Sequence, residues 1–149
     1  MDTVSKETRS AVMRAVRSTG TKPERIVFAA LKARKIYFAP HVKTLPGKPD
    51  IVFRRKKVAV FIDSDFWHGH PERFRAPASN VDYWQAKIAR NRARDLAVTA
   101  ELTQKGWTVL RLWEWDIRHD LDSQLARLLS AIGRSETTPS STQVYSNPA

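Results

Sequence analysis

The chain has 149 residues, with 26 lysines and arginines against 15 aspartates and glutamates, a net charge of +11 and no cysteine. That length suits one ordinary domain, and the missing cysteines exclude disulfides and thiolate metal ligands and fit a reducing compartment. The positive excess favours a polyanion, either nucleic acid or an anionic membrane surface.

No run approaches the 18 apolar residues of a membrane span, and MDTVSKETRS lacks the apolar region of a signal peptide. A cytoplasmic protein with no membrane partner is expected. In chain order, ETRSAVMRAVR at 7–17 predicts a basic helix with Val12, Met13 and Val16 on one side. Residues 1–20 are therefore expected to form a basic arm. Thr21 then opens TKPE, a capping-box spacing with Glu24 at the third helical position. The helix should run on through IVFAALKARK, with Ile26, Val27, Ala30, Leu31 and Ala33 toward the core.

IYFA predicts a short strand, and HVKTLPGKPD a loop. DIVF and VAVFID read as a hairpin around the basic tip RRKK, the second strand apolar enough to be buried on both faces. After an irregular Pro-rich stretch, a long basic helix should start near Ser79 or Asn80 and reach Gln104. Val81, Trp84, Ile88 and Leu96 are its candidate apolar positions, and Gly106 ends it. WTVLRLWEW predicts a last strand, and DLDSQLARLLSAI an amphipathic helix. The Ser/Thr/Asn/Pro-rich stretch 134–149 reads as a disordered tail. The expected fold is α/β, one mixed sheet covered by helices, over residues 21–133.

The chemistry concentrates in FIDSDFWHGH, residues 61–70. A hairpin would bring Asp50 and Asp63 to one sheet edge. Two close carboxylates repel unless a cation joins them, and hard oxygen donors suit magnesium. The alternative is a pair of solvated strand-end aspartates. Glu24 is either a helix cap or a carboxylate that orients water at that cation. His68 follows the strand closely enough to move a proton near neutral pH. Asp95 either anchors it or makes a surface salt bridge. Asp65, His68, His70 and Glu72 are an unspecific alternative set of metal ligands. Phe66, Trp67 and Trp84 are either core or a stacking surface for bases, while Arg14, Lys87 and Arg90 suit phosphates.

In order, TRSAVMRAV, TKPE, LPGKPDIVF, VAVFIDSDFWHGH, NVDYWQAKIARNRARD and GWTVLRLWEWDI resemble the very short patch repair (Vsr) mismatch endonucleases. The likeness spans roughly residues 6–118. It implies a restriction-endonuclease-like, PD-(D/E)XK type fold and a magnesium-dependent DNA endonuclease. It further implies nicking of duplex DNA 5′ to the thymine of a T·G mismatch, by a monomer functionally linked to a cytosine-5 methyltransferase. By resemblance Asp50 is the principal metal ligand, joined by the backbone carbonyl of Ile62. His68 is the catalytic imidazole, supported by Glu24 and Asp95, and Asp63 stands where some relatives have histidine. Met13, Phe66, Trp67 and Trp84 match residues that enter the duplex. The family's zinc cysteines are replaced, by Asp65 and Trp115 among others, so no structural zinc is expected. A related site-specific endonuclease without T·G specificity is the alternative. A non-catalytic DNA-binding module is the rival from another class, although its carboxylates would repel phosphates without a cation.

Overall fold

A computed structural model describes residues 21–134. The basic arm, with Met13 and Arg14, and residues 135–149 of the tail lie outside the described residues.

Helix α1, Lys22–Ala33, starts where the capping pattern places it. Thr21 is extended, and its Oγ1 accepts the Glu24 amide at 3.4 Å. Val27 and Leu31 are fully buried, Ile26 and Ala30 partly so, and Ala33 is exposed. The helix closes with Lys35 in the left-handed region (φ 57°) and the Ile36 amide bonded back to Leu31 O. Ile36 is spent on that closure and on the core. The strand predicted at IYFA is therefore displaced to β1, Ala39–Pro40.

β2, Ile51–Phe53, and β3, Val58–Asp63, form the predicted hairpin, with Phe53 opposite Val58. β4, Thr108–Trp113, runs parallel to β3, and β1 is antiparallel to β2. The result is a mixed four-stranded sheet in the order β1-β2-β3-β4. β3 is central and buried on both faces. Val58 and Val60 pack with α1 and the C-terminal helices, whereas Ala59 and Phe61 pack with Leu102 and Val98. That two-sided burial explains why its residues do not alternate with polar ones.

Helix α2, Val81–Gln104, covers the second face. Trp84, Ile88 and Leu102 are its buried residues, while Val81 and Leu96 are exposed, Leu96 at 73%. The inward stripe runs 84, 88, 91, 95, 98, 102, so Leu96 misses it and two polar residues, Asn91 and Asp95, fall on it. Gly106, at φ 89°, ends the helix while the Trp107 amide returns to Leu102 O.

The predicted strand WTVLRLWEW stops at Trp113. Glu114–His119 is a short helix, α3, and Leu121–Ala131 is α4, with Leu125, Leu128 and Leu129 buried. The architecture is a mixed sheet between helices, as the restriction-endonuclease likeness implies. Among the described residues no helix is long and apolar enough to cross a membrane.

Candidate active site

Two clusters of donor side chains form where β2 and β3 meet the ends of α1 and the middle of α2. The first joins Glu24, His41 and Asp50, and the second Asp63, His68 and Asp95. Within each, one donor atom per residue lies within 4.8 Å of the others.

The hydrogen-bond ladder builds the first cluster. The Asp50 amide donates to Val60 O, and the next rung is completed by a side chain: the Ile62 amide donates to Asp50 Oδ2 at 2.7 Å. On its other side, Asp50 O accepts the His41 amide at 3.0 Å. Glu24 is 3% exposed, and its Oε2 lies 2.8 Å from His41 Nε2. Thr21 Oγ1 caps the Glu24 amide, but the Glu24 carboxylate itself faces the site. The cap reading of this residue is met by its backbone, while its side chain stands among the donors of the first cluster.

Burial pushes the Asp50 carboxyl up to about 7. The Ile62 amide opposes that rise, and the Glu24 and Asp63 carboxylates add to it. A carboxyl under that pressure holds either a proton or a cation. His41 Nε2 is buried and, despite its closeness to Glu24, makes no aligned hydrogen bond. Two oxygen donors and one imidazole nitrogen, all within 4.8 Å of one another, fit a divalent cation.

In the second cluster, His68 Nδ1 lies 2.5 Å from Asp95 Oδ2, and His68 Nε2 is 3.8 Å from Asp63 Oδ1. Burial works to lower the His68 pKa. The Asp95 hydrogen bond and the Asp63 and Asp95 charges outweigh it, so it lies above the usual 6.5. The turn carrying His68 is held by Ser64, whose Oγ accepts the Phe66 and Trp67 amides at 3.2 and 3.3 Å. Gly69 lets this turn lie against α2. At φ 62°, a Cβ there would stand 2.3 Å from Ile88 Cγ2.

Asp63 is 2% exposed and falls in the His68 cluster, apart from the Asp50 set. Its carboxylate is gripped by Arg111 Nη1 at 3.1 and 3.2 Å. Arg111 also reaches Asp95 O and Thr99 Oγ1, and lies over the Phe61 ring at 4.2 Å. Burial still raises the Asp63 pKa against the pull of His68 and Arg111. Replacing Arg111 with leucine strands a buried carboxylate, at a cost of about 3–5 kcal/mol. Because the raised Asp63 pKa rises further without its partner, the loss should be larger at an alkaline than at an acidic pH, where protonation relieves it. Denaturant melts at both pH values check this, and equal losses would sink it.

Beside His68 opens a cleft of about 350 Å³ lined by Trp67, Lys87, Asn91, Arg94 and Asp95. Asn91 Nδ2 donates to Trp67 O at 3.0 Å, and Lys87 Nζ lies 5.8 Å from the Trp67 ring. Phe66 and Trp67 are half-buried and stand edge-on at 5.0 Å. Trp84, 1% exposed, braces both at 5.4 and 5.9 Å. Arg90 is exposed on the same helix.

The DNA mismatch endonuclease Vsr family model matches residues 1–73. The type II nicking enzyme V.XorIIP of Xanthomonas oryzae pv. oryzae is 42% identical over 128 residues, covering 85% of this chain and 93% of that protein. The chain belongs to the Vsr family of DNA endonucleases. Another relative, V.NaeI of Lentzea aerocolonigenes, also a type II nicking enzyme, is 44% identical over 75% of this chain and 70% of its own length. The DNA mismatch endonuclease Vsr of Escherichia coli is 34% identical over 78% and 76%. This Vsr-family chain is an endonuclease, and its clustered donors are consistent with use of a divalent cation.

Asp65, His68, His70 and Glu72 do not converge on a metal position. Asp65 Oδ2 binds Arg73 Nε at 2.7 Å, and Arg73 lies over Trp115 at 4.8 Å. His70 Nδ1 accepts the Glu72 and Arg73 amides, with its ring edge-on to Trp113 at 4.6 Å. An arginine and aromatic rings pin this region of the Vsr fold. Protein purified without chelator should carry no stoichiometric zinc, which elemental analysis checks; one zinc per chain would refute it.

His41, Arg111 and Ser64 were not singled out from the sequence. For Arg111 a signal existed: an arginine inside an apolar strand needs a buried partner. His41 had none, being a lone histidine in a loop until β1 pairs with β2.

Proposed function

We propose that the protein is a magnesium-dependent endonuclease that nicks one strand of duplex DNA, acting as a monomer because one nick needs one active site. The observation that carries this reading is the pair of donor clusters, Glu24–His41–Asp50 and Asp63–His68–Asp95, the second of which lines a basic, aromatic-walled cleft. Asp50 and Glu24 would hold the cation. In a strand, a residue's amide and carbonyl face the same neighbour, so the Ile62 carbonyl opens on the Asp50 side and can serve it too. When bound, the ion supplies charge stabilisation for the phosphoryl oxygen and a more acidic water.

The protein's own groups supply the rest. Asp95 fixes the His68 Nδ1 proton, leaving Nε2 to take a proton from the attacking water or return one to the leaving oxygen. The new bond joins water oxygen to phosphorus as the bond from phosphorus to the leaving oxygen breaks. Lys87, Arg90 and Arg94 would track phosphates, Arg14 of the arm would extend that contact, and Met13 would enter the duplex. The test is cleavage of supercoiled plasmid and end-labelled matched and mismatched duplexes, with and without magnesium, followed by end mapping. One metal-dependent nick in one strand is expected. No cleavage of any duplex with any divalent ion would leave only a binding module.

The aromatic cluster favours a second, narrower reading: nicking 5′ to the thymine of a T·G mismatch, in very short patch repair linked to a cytosine-5 methyltransferase. A mismatched pair is cheaper to open, and an inserted ring replaces lost stacking worth roughly 1–3 kcal/mol per base. Trp67→Ala should therefore cut the preference for T·G over T·A duplex by about tenfold, since 1.4 kcal/mol is a factor of ten. Binding to both duplexes at one salt concentration is the measurement. Equal weakening on the two would remove the wedge role. Trp84→Ala is unsuitable for this comparison, because losing a buried tryptophan costs about 3–5 kcal/mol of stability.

A further inference from the structure

His41 is positioned with more care than a loop histidine needs. Its backbone is left-handed, at φ 48°, a region costly for most residues and one in which histidine is enriched. Its amide is tied to Asp50 O at 3.0 Å, and the Phe28 ring backs its imidazole at 5.6 Å. The chain turn and the ring together bring Nε2 into the donor set of Glu24 and Asp50, whose ligand atoms all lie within 4.8 Å of one another. There it is buried, 2.8 Å from Glu24 Oε2, and without an aligned hydrogen bond. An imidazole that served only as a counter-ion for Glu24 would be expected to aim a hydrogen at the carboxylate.

We propose that His41 is a nitrogen ligand of the active-site cation, and that it raises this centre's affinity for borderline transition ions, manganese(II) and cobalt(II), relative to magnesium. This rests on the reading of Glu24 and Asp50 as cation donors. Magnesium is served by oxygen ligands and keeps its waters, so an imidazole adds little to its binding. For first-row transition ions the same nitrogen adds affinity, and adds more for cobalt than for manganese. A set of two carboxylates alone would discriminate far less.

The experiment uses the full chain, freed of metal and titrated separately with magnesium, manganese and cobalt, with pulsed electron paramagnetic resonance of the manganese form. Wild type should show nitrogen coupling to manganese. The His68→Gln protein should keep it, which assigns the nitrogen to the Glu24–Asp50 site without any change at His41. His41→Gln should lose the coupling and lose roughly 10- to 100-fold in cobalt affinity, less for manganese and least for magnesium. Absence of nitrogen coupling in wild type, its loss in His68→Gln, or an unchanged preference among the three ions in His41→Gln overturns the proposal. Asp50→Asn separates the two levels of inference. If that variant binds manganese as wild type does, the cation site itself is wrong. If it loses binding while His41→Gln behaves as wild type, only the role of His41 falls.

Discussion

Asp50→Asn should abolish nicking and, in the metal-free protein, make the fold harder to unfold at pH 8. The two effects share one cause. Asp50 is forced into a buried position beside Glu24, and its carboxyl is pushed up to about 7. A group whose folded pKa exceeds its unfolded value, here 3.8, favours folding fully below 3.8 and has lost that contribution once the pH passes 7. Asparagine carries no charge to lose, and its carbonyl can still accept the Ile62 amide that Asp50 Oδ2 holds at 2.7 Å. The gain at pH 8 should be at most about 4 kcal/mol, the worth of a shift from 3.8 to about 7. Catalysis moves the other way, because an amide is a far poorer cation ligand. A loss of several kcal/mol of charge stabilisation means a rate at least about 10³-fold lower. Single-turnover nicking and thermal melts in chelator are the measurements. Near-normal nicking would remove Asp50 from the cation site. A variant less stable than wild type at pH 8 would show that the carboxylate is not under the strain described. The same linkage predicts that more divalent ion is needed as pH falls below 7, since the cation must displace a proton.

His68→Ala should slow nicking by about 10²-fold or more, the range of general acid–base catalysis. A base must be neutral to accept a proton. The His68 pKa lies above 6.5, since the Asp95 hydrogen bond and the Asp63 and Asp95 charges outweigh burial. The wild-type rate should therefore climb with pH through a limb placed above 6.5, and His68→Ala should lack that limb. Asp95→Asn removes the charge but keeps a hydrogen-bonding side chain, so the limb should move to lower pH while the maximum rate falls. Saturating cation at every pH keeps the Asp50 proton from imitating the effect. The stability sign is opposite to the activity sign. Protonated His68 supports the fold below 6.5, and that support is lost as pH rises through its folded pKa. A rate profile unchanged by His68→Ala would make the imidazole a packing residue.

Much of this arrangement was readable before any coordinates. The capping pattern at Thr21, the continuous apolar run VAVFI and the basic tip RRKK led directly to α1, the central strand and the hairpin. The errors were local. The residues of IYFA favour a strand, but closing α1 claims Ile36. Leu96 is apolar yet exposed, because the inward stripe of α2 passes through Asn91 and Asp95 instead. That stripe was itself a clue. A carboxylate on the inward face of a helix requires a partner, but local spacing does not name it, and only the fold brings Asp95 to His68.

The sequence by itself determined the class of fold, the basic character of α2, the exclusion of thiolate zinc and the types of chemistry present, because these depend on periodicity, charge and residue identity. Only the tertiary structure decided which groups act together. Asp50 and Asp63 looked like one pair, yet β3 carries Asp63 to α2, where Arg111 of β4 claims it, while Asp50 meets Glu24 from α1 and His41 from the end of β1. Parallel pairing of Phe61 with Arg111 and antiparallel pairing of Ala39 with Val52 are contacts between residues far apart in the chain. Strand register sets such contacts, and register is settled by burying whole faces at once, so no short stretch of sequence carries it.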